Sequence, residues 1–203
     1  MRIIDINENI IQELKKSGLY EEMQSLGACD FLVIEEQDGK IIGAGGVGGL
    51  FNVASLQIAG GFQGKGLGKI LLGATLDEAR RRGYSFISGS RNPENHRAIK
   101  LHDLYGFYPI FRIHYSPSIV RDVIILILRP KGKIVSRFLG IFNNIIGMSV
   151  LALVLKFTKP FFRGVLTLSP EEFPDPSVTY MIKNFEKLGR DAKNDTPDDK
   201  SKL

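Results

Sequence analysis

The sequence predicts an α/β (α+β) fold, a sheet flanked by helices, followed by an apolar helical extension. Three observations carry this. Residues 1–130 alternate short apolar, strand-like runs with stretches in which apolar residues recur at helical spacing. A glycine-rich segment, Gly60 to Gly68, separates a strand-like run from the longest helical one. Phe138 to Leu155 then runs for 18 residues without a charge.

In chain order, Ile10, Ile11, Leu14 and Leu19 recur among Glu13, Lys15 and Lys16, the pattern of an amphipathic helix. Phe31–Ile34 and Ile41–Ala44 are short apolar runs, and Asp38-Gly39 between them supplies a tight turn, so a hairpin is expected. Val53–Ile58 reads as a strand. Leu67–Arg82 reads as a helix, with Leu67, Ile70, Leu71, Ala74 and Leu76 on one side; Arg80, Arg81 and Arg82 suit its C-terminal dipole, and Gly83 its stop. Phe86-Ile87 reads as a strand, Asn95–Tyr105 as a second helix ended by Gly106, and Val123–Leu128 as a buried strand. The basic linker Arg129–Lys133 marks a boundary near residue 130. Three regions follow: a catalytic or binding domain over 1–130, an apolar and basic helical extension over 131–188, and a polar, disordered tail over 189–203. Within the extension, Ser169-Pro170-Glu171-Glu172 resembles a helix start and Val178–Leu188 a closing helix.

Composition sets outer limits. With 203 residues, 43% apolar, the chain is neither wholly disordered nor collagen-like. A single cysteine, Cys29, excludes an internal disulfide framework and a multi-cysteine zinc site, and suits a reducing, cytoplasmic setting; Cys29 itself reads as a small buried residue. His96 and His114 have no partner at metal-ligand spacing, so no metal is expected. Met1–Asp5 lacks the start of a signal peptide. The net charge of +5 allows an anionic partner without requiring one, and no nucleic acid is expected.

The segment Gly60-Gly61-Phe62-Gln63-Gly64-Lys65-Gly66-Leu67-Gly68 carries the chemistry. Glycines let a ligand approach the backbone, and successive N–H groups at a helix N-terminus form a site for a pyrophosphate. The segment is neither a P-loop, because no Lys-Ser or Lys-Thr closes it, nor a dinucleotide fingerprint. Gln63-x-x-Gly66-x-Gly68 resembles the acyl-CoA pyrophosphate loop of the GCN5-related N-acetyltransferases (GNAT). Twenty-seven residues after Gly68 come Asn95, then Ala98, Leu101, Gly106 and Phe107, similar to that family's second motif. The resemblance covers about residues 1–130.

It implies the GNAT fold, a mixed and mostly antiparallel sheet flanked by helices. It also implies acetyl transfer from acetyl-CoA to an amine of a small molecule or protein. By the same resemblance, Gln63, Gly64, Lys65, Gly66, Leu67 and Gly68 would hold the pyrophosphate. Leu56, Gln57 and Ile58 would line the pantetheine, with a main-chain N–H polarising the thioester carbonyl. Asn95 would hydrogen-bond the cofactor arm. His102 stands where the family usually has the tyrosine that protonates the leaving thiolate, which makes it the candidate general acid; the plainer reading is a surface or capping histidine. Tyr105 is a fallback with the wrong spacing and a core aromatic's profile. Gly60-Gly61 replaces a proline region and would loosen the strand end. Lys65 suits a phosphate, while Lys69 suits a phosphate or solvent equally. No general base stands out, since Asp30, Glu35 and Glu36 read as a solvated face. The missing tyrosine and base leave an alternative of a different kind: a non-catalytic CoA-binding or membrane-docking module.

As a helix, Phe138–Leu155 would be about 27 Å long at ~1.5 Å per residue, near the lower limit for a membrane span. Asn143 and Asn144 interrupt it, and Lys131, Lys133 and Arg137 precede while Lys156, Lys159 and Arg163 follow. Three expectations remain open for residues 134–168: packing on the domain or on a second copy, attachment to an anionic membrane surface, and a true span. The terminal Ser201-Lys202-Leu203 is a peroxisomal address if the source is a eukaryote.

Overall fold

The computed structural model describes residues 1–19, 24–49, 51–114 and 120–141, together with 146, 147, 149, 150 and 153. Among the described residues, seven strands and four α-helices follow in chain order: β1 (Arg2–Asp5), α1 (Glu8–Lys16), β2 (Phe31–Gln37), β3 (Lys40–Gly48), β4 (Val53–Ile58), α2 (Leu67–Arg82), β5 (Phe86–Arg91), α3 (His96–Leu104), β6 (Tyr108–His114), β7 (Val120–Ile127) and α4 (Gly132–Ile141). They form one sheet in the order β1-β2-β3-β4-β5-β7-β6. Every neighbouring pair is antiparallel except β4 and β5, which run parallel and meet at a single register pair, Val53 with Ser88.

Local chemistry explains the elements. Asp38 and Gly39 both take positive φ, 51° and 72°, the two-residue turn whose twist suits a hairpin. α1 is capped by Asn7, whose Oδ1 accepts from the Ile10 N–H at 3.0 Å, and it buries Ile10 and Leu14. α2 keeps its expected limits and stops at Gly83 (φ 90°). Its arginines do more than meet the helix dipole. Arg81 and Arg82 both hold Glu78, which is buried at 3% exposure and whose carboxyl falls to about 2 chiefly through its hydrogen bond from Arg81. Arg82 also pairs with Asp5 of β1 and stacks over the Phe31 ring at 4.5 Å, tying the helix end to the sheet edge.

Both faces of the sheet are covered. α2 packs Leu71, Leu72 and Leu76 against Phe31, Val33 and Val47 and the inner residues of β5 and β7. α1 covers the other face over Leu32, Ile34 and Ala44. A third cluster, Ile110, Phe111, Ile113 and Ile125, receives Leu139 of α4. Cys29 is buried as expected, and burial pushes its thiol up to about 12.

The sequence pattern marks only Ile41–Ala44 of this strand, yet β3 runs through to Gly48. A Cβ at Gly43 would lie 2.6 Å from Leu71 Cδ1, and one at Gly45 would lie 2.6 Å from Thr75 Oγ1. The missing side chains are therefore the seat of α2. Strands β1 and β6 escaped the sequence reading, and α3 begins at His96 with Asn95 as its cap. Where a helix was expected over Phe138–Leu155, the described helix begins earlier, at Gly132, and is bounded at Ile141, with Leu139 packed on the sheet. Among the described residues no helix is long and apolar enough to cross a membrane. The expected helices at Ser169–Glu172 and Val178–Leu188, the polar tail and the terminal tripeptide lie outside the described residues.

Gly45→Ala is expected to lower stability by about 1–3 kcal/mol, because Thr75 is buried and its hydroxyl is held by Leu71 O at 2.8 Å. Gly140→Ala in α4, where a Cβ meets nothing within 4 Å, should be neutral or stabilising. Chemical denaturation of the two variants checks both.

Candidate active site at the β4–β5 opening

The opening arises from strand register. The Ala59 N–H donates to Ile42 O at 2.9 Å, so residues 59, 57, 55 and 53 bond toward β3. The alternation of an antiparallel ladder turns the peptide groups of Ala54, Leu56 and Ile58 toward β5. Where the strands touch, Ser88 N–H donates to Asn52 O at 3.0 Å; beyond that rung they diverge and no further pair forms among the described residues. The Leu56 N–H and C=O and the Ile58 N–H thus face a gap, while their side chains pack into the α2 core. Both residues can offer a ligand their backbone. Gln57 sits between them on the β3-bonded side of the strand.

At the C-terminal end of β4 the chain makes one 3-10 turn, Gly60–Phe62, and does not fray as the Gly60-Gly61 pair led one to expect. The Gln63 side chain closes this corner, its Nε2 donating to Ile58 O at 3.0 Å. Gly64 and Gly66 then adopt φ of 78° and 83°, open only to glycine without strain, and a Cβ at either would meet nothing within 4 Å. The result is an exposed cradle. Gly66 stands at the N-cap of α2 with no side-chain cap, and the N–H groups of Leu67 and Gly68 have no intrahelical partner by position. Lys65 projects beside it with its ammonium 5.1 Å above the Phe62 ring, and Lys69 is exposed on the first turn. Gly68 serves packing, since a Cβ there would lie 3.1 Å from Ile58 Cδ1. Open space, unpaired N–H groups and cationic side chains together fit an anionic pyrophosphate.

α3 meets the first turn of α2, where a Cβ at Gly68 would lie 3.7 Å from Leu101 Cδ2. Asn95 caps α3, its Oδ1 accepting from Ala98 N–H at 3.0 Å, so only the Asn95 amide N–H groups remain for a ligand. His102 is half-buried, edge-on to Phe107 with ring centroids 5.2 Å apart. Its Nδ1 is buried without a hydrogen-bond partner among the described residues. Burial lowers its pKa below the usual histidine value, the nearby Arg91 cation lowers it further, and the Ala98 carbonyl and Asp103 oppose them. Tyr105 is spoken for: its hydroxyl donates to Lys69 O at 2.6 Å, in the space that Gly73 leaves by lacking a side chain.

Sequence reasoning missed Arg91. This last residue of β5 has a side chain only 6% exposed; its Nη1 donates to Asp103 Oδ1 at 2.9 Å and to Ile99 O at 3.3 Å, both on α3. Asp122 lies beside it on β7 and forms a two-point ion pair with Arg112 on β6. An arginine at a strand end gives no sequence signal for burial. The acidic residues weighed as bases have other partners: Tyr84 OH donates to Asp30, Glu36 pairs with Arg2, and Glu35 lies 3.2 Å from the Met1 ammonium. His96 is exposed on α3, and the His114 side chain is outside the described residues. Among the described residues no group of three His, Cys, Asp or Glu could hold a metal ion.

Comparison with curated protein sequences finds no match. Solved structures share the fold at low identity. The ribosomal-protein-S18-alanine N-acetyltransferase from Escherichia coli is 17% identical, with 63% of this chain and 94% of that one covered and a TM-score of 0.50. A GNAT superfamily phosphinothricin acetyltransferase from Sinorhizobium meliloti, solved in complex with acetyl-CoA, is 15% identical, with 63% and 88% covered and a TM-score of 0.50. The acetyltransferase of the GNAT family from Streptococcus pneumoniae is 14% identical, with 62% and 98% covered and a TM-score of 0.51. The sequence itself matches the model of the Acetyltransferase (GNAT) family over residues 3–107, more than half its length. Acetyl-CoA is the co-substrate of that family. This chain therefore belongs to the GNAT family of acetyltransferases.

Proposed function

We propose that this protein transfers the acetyl group of acetyl-CoA to an amine of a small molecule or of a protein. The observation that carries the reading is the unpaired inner edge of β4 ending in an open glycine cradle. In this reading the N–H groups of Gly64 to Gly68, with Lys65, hold the pyrophosphate. The exposed edge at Leu56 and Ile58 pairs with the pantetheine amides as a missing strand would, and the Asn95 amide donates to the same arm. Acetyl-CoA supplies an activated thioester. In this reading a β4 N–H facing the gap stabilises charge on its carbonyl oxygen.

The reaction forms a C–N bond, breaks a C–S bond and moves one proton from nitrogen to sulfur. His102 is the residue we assign to that proton. Its lowered pKa keeps the ring neutral in the resting protein, so one ring nitrogen can accept the amine's proton before the ring delivers a proton to the departing thiolate. This extends the general-acid role expected from sequence and accounts for the want of a separate carboxylate base.

Gly66→Val should abolish acetyl-CoA binding measured by calorimetry, since its positive φ and the open space beside it are both lost to a branched side chain; unaltered affinity would reject the cradle. For His102, wild-type kcat should fall as pH drops through a value below 6.5, where the ring becomes charged and cannot accept a proton. His102→Phe should lower kcat about 10²–10⁴-fold and lose that limb, with acetyl-CoA affinity nearly intact. Arg91→Met should move the limb to higher pH and shift the His102 midpoint upward in proton NMR, because a neighbouring cation is removed. Identical profiles for wild type and His102→Phe would remove His102 from the mechanism.

A further inference from the structure

The chain's basic excess is confined to one segment. Residues 123–170 contain seven Lys or Arg and no Asp or Glu. The rest of the chain holds 20 basic against 22 acidic residues, so outside this segment the protein is net negative. Helix α4 lies in the segment and presents two sides. One side is fixed to the domain: Leu139 packs with the Ile110, Phe111, Ile113 and Ile125 cluster, and Ser136 Oγ meets Tyr108 OH at 2.8 Å. The other side leaves Ile134, Phe138 and Ile141 exposed by 68%, 59% and 64%. Their i, i+4, i+7 spacing makes a single apolar stripe. Lys131, Lys133 and Arg137 are exposed around it. Further on, Ile146, Val150 and Leu153 repeat the spacing and are exposed as well.

Large apolar side chains exposed along one side of a helix mark a contact surface. Its partner is constrained by charge. A second copy docked through the same stripe would bring two sets of cations together with no carboxylate on α4 to answer them. A surface that is apolar beneath and anionic above answers both features. We propose that α4 lies in the interface of an anionic lipid membrane, with Ile134, Phe138 and Ile141 below the headgroups and Lys131, Lys133 and Arg137 among them. The inference is independent of the acyl-transfer reading. It would orient the protein, since the cluster under α4 lies on the opposite side of β5 and β7 from the residues that meet α2.

The test is co-sedimentation of the full chain with vesicles of phosphatidylcholine alone and of phosphatidylcholine with a quarter phosphatidylglycerol. Binding to the anionic vesicles only, reduced by salt, is expected. Replacing Lys131, Lys133 and Arg137 together by Ser should weaken partition about a hundredfold, from about a fivefold loss per basic residue. The double change Ile134→Ser and Phe138→Ser, which keeps the charge, should weaken it at least ~10-fold. Circular dichroism and acetyl-CoA affinity unchanged from wild type would show that both variants remain folded. Absence of binding to either vesicle, or equal binding by wild type and both variants, would overturn the proposal. So would a lipid-free dimer in sedimentation velocity that the Ile134 and Phe138 changes dissolve, which would assign the stripe to a second copy.

Discussion

The depth to which α2 sinks into the sheet governs the rest of the molecule. Three glycines set it: Gly43 and Gly45 beneath the helix, and Gly68 on it, facing Ile58. With side chains at these places the helix would ride higher, and its first N–H groups would no longer lie beside the end of β4. One extended ligand can touch both the strand edge and the helix terminus only because the two are brought to one level. The same close approach buries Leu71, Leu72 and Leu76 almost fully, so the contact that shapes the site is also a large part of the core.

α3 is held by different means. None of its residues is fully buried, and its apolar anchors, Leu101 and Tyr105, are only partly covered. Directed polar contacts fix it instead: Arg91 to Ile99 O and Asp103, Tyr105 OH to Lys69 O, and Asn95 at its start. A desolvated guanidinium is costly and adds little net stability, but it admits few alternative geometries. The helix that carries His102 is therefore located by hydrogen-bond direction more than by apolar area.

Legibility in the sequence followed how local each signal was. The limits of β4 and α2 agree with expectation to the residue, because a strand-like run, a glycine turn and a capped periodic stretch succeed one another within 30 residues. The hairpin at Asp38-Gly39 was plain for the same reason. β3 was cut short because glycine ordinarily argues against a strand; here a helix above and a turn below occupy the space, which is a tertiary fact. β6 was hidden by Pro109, which sits at the irregularity in its pairing with β7. At the site, the cradle was readable as a motif and His102 as a departure from one. Arg91 and Asp122 were not readable, since their burial depends on strand partners distant in sequence.

The single rung between β4 and β5 has a further consequence. The sheet is two antiparallel blocks, β1 to β4 and β5 with β7 and β6, joined edge to edge by one residue pair and bridged by the core under α2. A ligand lying in the gap would supply the rungs that the strands lack, and so would act as an internal splint between the blocks. Its binding energy and the cooperativity of unfolding are then drawn from the same contacts, with the native state gaining RT ln(1 + [L]/Kd) as the ligand saturates. Occupancy of the gap would set how firmly the two halves of the protein are held together.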